Sequence, residues 1–202
     1  MTLSERYEAE RLRLLQAEAE GPAGEYRAPV FGEGNPHPVA LFVGEAPGAE
    51  ETKQGRPFVG KAGRQLDALL GQAGIDRSAV YITNVVKYRP VVRSARSTRN
   101  RTPGPKEVAA ALPLLGEELA AVLPQVVVTL GNVPLAAVLQ LAGEPRQTIG
   151  AVHGRPLPLC LQGRALVLFP LYHPASGIYN RALVPVMERD VLALGEHLVK
   201  RR

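Results

Sequence analysis

Four side chains in this 202-residue sequence carry the chemistry of a binding or catalytic site, and each follows an apolar run or sits in a turn rich in Gly and Pro. Glu45 lies in Gly44-Glu45-Ala46-Pro47-Gly48, where two residues without side chains let a ligand approach the backbone closely. Its carboxylate can take a proton or orient a water, although many loop carboxylates are only solvated. Asn84 follows Val80–Thr83. Its amide has one acceptor and two donors, which suits the Watson–Crick edge of a base, and it suits a local turn equally well. His173 precedes Pro174, which biases it toward extended backbone and away from a helix; an imidazole there is either a donor at a site or a structural residue. Phe58, in Gly55-Arg56-Pro57-Phe58-Val59-Gly60, is either a stacking platform for a base or a core anchor.

What must position these residues is a set of short apolar runs alternating with helical patterns. Val39–Val43, Val80–Thr83, Val126–Leu130 and Ala165–Phe169 read as four strands buried on both faces. Helical periodicity covers Gly60–Ala73, Lys106–Leu123, Asn132–Leu141 (Asn132 as cap, Pro134 in the first turn) and Val184–Val199. An N-terminal helix over Ser4–Glu20, within residues 1–24, is capped by Ser4, carries Leu12 and Leu15 on its apolar side and ends at Gly21-Pro22. Glu25–Pro38 reads mostly as loop, and Thr148–Leu161 as a small hairpin or irregular excursion. Alternating strands and helices predict an α/β fold with a central, mainly parallel four-stranded sheet in one domain spanning residues 1–202. In such sheets the functional loops gather beyond the carboxyl ends of the strands. That places Gly44–Gly48, Asn84, Gly131-Asn132 and His173 on one rim.

The composition is globular, with 46% hydrophobic and 21% charged residues. No apolar run reaches the roughly 18 residues of a membrane span. The charged N-terminus lacks a signal-peptide core, so a soluble cytoplasmic protein with no membrane partner is expected. The single cysteine, Cys160, excludes an intrachain disulfide and a four-cysteine metal site, and reads as a buried packing residue. The charge is unevenly placed. Lys87, Arg89, Arg93, Arg96, Arg99, Arg101 and Lys106 follow one another with no Asp or Glu between them, and removing those seven from the net charge of +5 leaves −2. Such a patch attracts a polyanion; the alternative is a solvated Arg-rich loop over residues 88–104.

Six stretches give the order of these residues a resemblance. They are Val30-Phe-Gly-Glu-Gly-Asn-Pro36, Phe42-Val-Gly-Glu-Ala-Pro-Gly48, Gln54-Gly-Arg-Pro-Phe-Val-Gly60, Tyr81-Ile-Thr-Asn-Val-Val-Lys87, Thr129-Leu-Gly131 and His173-Pro-Ala175. Over residues 26–198 the chain resembles the uracil-DNA glycosylase superfamily, and family 4 most closely. The resemblance implies a monomeric three-layer α/β/α fold that flips a nucleotide out of DNA and hydrolyses its glycosidic bond without a metal in the chemistry. It implies that Phe58 stacks on uracil, that Asn84 bonds its O4 and N3–H, and that Glu45 positions the attacking water. His173 would donate to O2 as charge develops there, while backbone groups of Gly44, Ala46, Pro47 and Gly48 hold the base edge and a nearby phosphate.

Three departures from the family pattern stand out. Family 4 members usually hold a four-cysteine iron–sulfur cluster, with two cysteines near the N-terminus, one where Tyr88 stands and one where Ala111 stands. Residues 10–27 contain no Cys, so no cofactor is expected, and packing around Tyr88 is expected instead. Nine residues, Val91–Arg99, separate Arg89-Pro90 from Asn100-Arg101-Thr102-Pro103; they either widen the DNA-contacting surface, together with Lys87, Arg89 and Arg101, or form a disordered insertion. After His173, Ser176 is expected at the DNA, with Ile178 or Tyr179 as the wedge that fills the gap left by the flipped nucleotide. Besides a uracil glycosylase, the pattern admits a relative with shifted base preference and an inactive DNA-binding relative.

Overall fold

The computed structural model describes residues 2–19, 24–26 and 28–200. In chain order its elements are α1 (Leu3–Ala19), β1 (Gly24–Glu25), β2 (Glu33–Gly34), β3 (Leu41–Gly44), α2 (Ala49–Gln54), α3 (Lys61–Gln72), β4 (Tyr81–Asn84), β5 (Arg89–Arg93), β6 (Thr98–Asn100), α4 (Pro105–Val122), β7 (Val126–Leu130), α5 (Asn132–Leu141), α6 (Ile149–Val152), β8 (Leu157–Leu161), β9 (Arg164–Leu171), α7 (Ala175–Tyr179) and α8 (Val184–Val199).

The main sheet has six strands in the order β2-β4-β3-β7-β9-β8, not four. The four expected strands form its parallel centre, and β2 and β8 add antiparallel edges. Both edges carry weak sequence signals. β2 is two residues long, and β8 contains Pro158, which only an edge strand tolerates well. Cys160 is exposed on β8, because burial alternates there and the leucines at 159 and 161 take the inward positions.

Alternation along the central strands divides the core between the sheet's faces. Leu41, Val43, Val127 and Leu168 pack with Leu112, Leu115 and Leu119 of α4 and with Leu135 and Val138 of α5. Ala40, Phe42, Val128 and Phe169 pack with Leu66 and Leu70 of α3 and Leu194 and Leu198 of α8. No helix among the described residues is long and apolar enough to cross a membrane.

Two helix caps differ from expectation. Thr2, not Ser4, opens α1: its Oγ1 accepts the Glu5 N–H at 3.3 Å, and Glu5 accepts the Thr2 N–H at 2.7 Å, a reciprocal capping box. α5 is preceded by Gly131 at φ +96°, and Asn132 instead accepts the Ile149 N–H at 2.8 Å, tying α6 to α5. In α1, Leu14 is buried while Leu12 and Leu15 are exposed, because the inward face runs through Tyr7, which stacks on Phe31 at 4.4 Å. The expected stop at Gly21-Pro22 lies outside the described residues.

The basic segment is folded. β5 and β6 form an antiparallel hairpin, and β1 pairs with β5 to complete a three-stranded sheet. This excludes a disordered insertion. At its base Tyr88 packs against Tyr26, with centroids 4.4 Å apart, over Gly24, where a Cβ would fall 2.6 Å from the Tyr88 ring. The Tyr88 hydroxyl donates to Glu107 at 2.7 Å, and Arg101 grips the same carboxylate at 2.5 and 2.9 Å. Tyr88 and Ala111, the positions where the family resemblance calls for thiolates, are a phenol and a methyl buried in one apolar cluster. An iron–sulfur cluster does not fit these residues.

Burial pushes the Glu107 carboxyl up, but the Arg101 guanidinium, the Gly104 N–H and the Tyr88 hydroxyl together outweigh it and bring its pKa down to about 2. A carboxyl depressed in the folded state adds stability that is fully present above its unfolded pKa and is lost as pH falls through the folded one. The urea midpoint of the wild type should therefore fall between pH 4.5 and about 2, and Glu107→Gln should flatten that part of the curve.

Candidate base-binding cleft

The ends of β3 and β4 lie side by side, with Gly44 opposite Asn84. The pairing continues past the strands, since Val85 N–H donates to Gly44 O at 2.9 Å and Val86 N–H to Glu45 O at 3.1 Å. Both turns are thereby held against the sheet. A Cβ on Gly44 would stand 2.3 Å from Asn84 Oδ1 and 2.5 Å from the Phe58 ring, so the three residues meet only because Gly44 has no side chain.

Phe58 is 6% exposed and has φ +54°, an uncommon conformation for a bulky residue. Gly63 of α3 permits it: a Cβ there would come within 1.9 Å of the Phe58 carbonyl oxygen. The second anchor of this loop is Glu51, which the sequence reading missed. Its buried carboxylate accepts N–H bonds from Val59 at 3.0 Å, Gly60 at 2.7 Å and Gly48 at 3.1 Å. It joins the turn after β3 to the Phe58 loop. The signal was present in the sequence, since Glu51 stands at the third position of α2 behind a glycine cap, as in half of a capping box.

These groups line a cleft of about 500 Å³ together with Ala46, Gly48, Asn100, His173, Ile178 and Tyr179. A larger cleft of about 630 Å³, between the start of α4 and α5, contains none of the candidate catalytic side chains. In the first cleft Asn84 is 2% exposed, and its Oδ1 is buried without a hydrogen-bond partner. An acceptor left in this state costs about 1–3 kcal/mol, which a ligand N–H would recover. His173 faces Phe58 with ring centroids 6.1 Å apart. Its Nδ1 accepts the Ala175 N–H at 3.1 Å, so the proton of the neutral ring sits on Nε2. Burial lowers the His173 pKa and keeps the ring neutral. The cleft thus offers a stacking face, an unfilled acceptor and an N–H donor.

Glu45 is half-buried, and burial raises its pKa against an opposing contact from Thr102. It borders the cleft through Ala46 rather than lining it, and Pro47 is buried behind the turn. Asn100, placed by β6, was not assigned a role from the sequence. Its Oδ1 accepts from Arg89 Nε at 2.7 Å, which leaves its NH2 group facing the Gly48 turn.

The basic residues separate into three kinds. Lys87 is 1% exposed and bonded inside the protein, so its expected role at DNA is withdrawn: a side chain out of water with its donors spent has none left for phosphate. Arg89 pairs with Glu25, and Arg101 with Glu107. Arg93, Arg96 and Arg99 are exposed on the hairpin and make no ion pair among the described residues. Ser176 is half-buried in α7, whereas Ile178 and Tyr179 project at 47% and 89% exposure. No cluster of metal-ligating side chains occurs among the described residues.

Fold and cleft define an α/β protein with a candidate site for a flat, hydrogen-bonding ring at the carboxyl edge of a parallel sheet. The chain belongs to the uracil DNA glycosylase superfamily, whose family profile matches residues 31–193. It is 38% identical over 168 residues to the type-4 uracil-DNA glycosylase of Sulfurisphaera tokodaii, covering 83% of this chain and 73% of that one. It is 41% identical over 153 residues to the type-4 uracil-DNA glycosylase of Thermotoga maritima, covering 76% and 73%. With the corresponding enzyme of Pyrobaculum aerophilum the identity is 38% over 175 residues, covering 84% of each chain.

Two substitutions test the cleft. Glu51→Ala leaves one buried and two part-buried N–H groups unpaired and should lower stability by about 3 kcal/mol in urea denaturation. Gly44→Ala should cost about 1–3 kcal/mol in the same denaturation and weaken binding of free uracil at least about tenfold, because its methyl displaces Phe58 or Asn84.

Proposed function

We propose that this protein is a uracil-DNA glycosylase that flips uracil from DNA and hydrolyses its glycosidic bond, acting as a monomer with a three-layer α/β/α fold. The observation that carries this reading is the buried, unpartnered Oδ1 of Asn84 beside Phe58 and a neutral His173. Uracil presents a carbonyl–N–H–carbonyl edge. Asn84 Oδ1 accepts from N3–H, the same amide donates to O4, and Phe58 stacks on the ring face at about 1–3 kcal/mol. Cytosine would set its N3 lone pair against the Asn84 oxygen.

As the C1′–N1 bond breaks, its electron pair moves onto uracil and the sugar takes on oxocarbenium character. The His173 Nε2–H donates to O2, where the charge grows; a preorganised donor in a site that excludes water contributes several kcal/mol. Glu45 orients the water that adds to C1′ and takes up its proton. Around the duplex, Ile178 or Tyr179 fills the vacated stack, Ser176 contacts the backbone, and Arg93, Arg96 and Arg99 neutralise phosphates.

Single-turnover assays on oligonucleotides carrying one uracil, hypoxanthine, xanthine or thymine test this reading. Uracil release is expected, slowed about 10²-fold or more by Glu45→Ala. Tight, salt-sensitive binding with no base released would replace the enzyme by a DNA-binding relative; release of a purine in preference to uracil would establish the shifted specificity. The pH profile follows from the two directions of shift. Glu45 is charged only above a pKa raised past its ordinary 4.5, and His173 stays neutral down to a pKa below its ordinary 6.5. The rate should therefore climb with pH through the Glu45 titration and then stay flat through neutrality. For the hairpin, Arg93, Arg96 and Arg99 changed together to Ala should reduce the slope of log K against log salt by about 3 on duplex DNA.

A further inference from the structure

Lys87 and Glu118 are an ion pair with side-chain exposures of 1% and 0%. Besides Glu118, Lys87 Nζ donates to Thr83 Oγ1 at 2.8 Å and to the backbone carbonyl of Asn84 at 2.5 Å. Glu118, from α4, also accepts from Thr83 Oγ1 at 3.1 Å and from the hydroxyl of Tyr7 in α1 at 2.6 Å. Tyr7 in turn meets Tyr81 at 2.8 Å. All three ammonium protons are thus used, and one of them holds the peptide of the residue whose side chain faces the cleft.

We infer that Lys87, fixed by Glu118, is the positioning residue for Asn84: it orients the Asn84 peptide so that Oδ1 stands where the base N–H arrives. This deepens the uracil-binding reading and rests on it. Stability alone does not account for the pair, because a buried ion pair is often replaced by uncharged side chains at no loss of stability. Position does account for it. The peptide on the carbonyl side of Asn84 is held from both ends: its N–H, that of Val85, donates to Gly44 O at 2.9 Å, and its carbonyl oxygen accepts from Lys87 at 2.5 Å, so Lys87 supplies the side-chain half of that grip. A displacement of about 1 Å at a group that aligns the substrate costs about 10² in rate.

The test uses Lys87→Met combined with Glu118→Gln, which removes both charges and keeps an acceptor for Tyr7 and Thr83. The double variant should melt within about 3 °C of wild type. Its single-turnover uracil release should fall about 10²-fold. In an Asn84→Ala background the same pair of changes should lower the rate less than about threefold, because the two act through one group. The Asn84 side-chain ¹⁵N resonance, read in the absence of DNA, should shift or broaden. A wild-type rate in the double variant overturns the proposal, as does an undiminished loss in the Asn84→Ala background. If the double variant does not fold, Thr83→Val removes one hydroxyl of the same cluster, and a rate reduced at least fivefold with a moved Asn84 resonance is expected; no change in either overturns the proposal. A wild-type protein that releases no uracil refutes the glycosylase reading, while the Asn84 resonance still decides the positioning claim.

Discussion

Taking a carboxylate out of water costs several kcal/mol unless its lone pairs are bonded, and this molecule takes Glu118 out of water completely. Its bonds to Lys87, Thr83 and Tyr7 join α4, the end of β4 and α1 at one point. Breaking any of these contacts would expose the others to a poorly compensated charge, so the junction between helices and sheet is constrained by electrostatics as well as by packing. Asn84 lies directly on this junction. The wall of the cleft that carries Asn84 is therefore as rigid as the buried charge behind it.

The opposite wall follows the same logic on a smaller scale. Glu51 collects three backbone N–H groups from two turns, so the turn after β3 and the Phe58 loop move as one body. Two glycines complete the arrangement by leaving space: Gly44 lets Phe58 and Asn84 come together, and Gly63 lets Phe58 adopt its left-handed backbone. Stored strain at Phe58 and an unpaired acceptor at Asn84 both raise the energy of the empty cleft. In the proposed complex the acceptor is satisfied by the N–H of the base, while the Phe58 backbone keeps the ring face in place.

A third buried or half-buried carboxylate, Glu107, secures the region where relatives are expected to carry thiolates. The Tyr26–Tyr88 contact and the Arg101–Glu107 pair, added to the backbone pairing of β1 with β5, tie the N-terminal segment, the hairpin and α4 together. The same hairpin carries exposed arginines outward and delivers Asn100 to the cleft, so one inserted segment joins packing, charge and the cleft lining.

Much of this was legible in the sequence. The four central strands, their helices and the gathering of Glu45, Asn84 and His173 on one rim follow from apolar periodicity and the rule for parallel sheets, whereas Phe58, on a loop, read equally as a stacking platform or a core anchor. What was not legible shares a cause. β2, β8 and the hairpin are edge elements whose pairing depends on partners far away in the chain. Lys87 looks like its basic neighbours until the fold encloses it, and Glu118 looks like an ordinary helix carboxylate until its bonds are seen. The central claim is that Asn84 Oδ1 awaits the N–H of a flipped base. The most direct measurement is a crystal structure of the protein with an oligonucleotide carrying a non-cleavable uracil nucleotide. The base should stack on Phe58 with its N3 within hydrogen-bond distance of Asn84 Oδ1; a base seated elsewhere, or an Oδ1 still without a partner, would contradict the account.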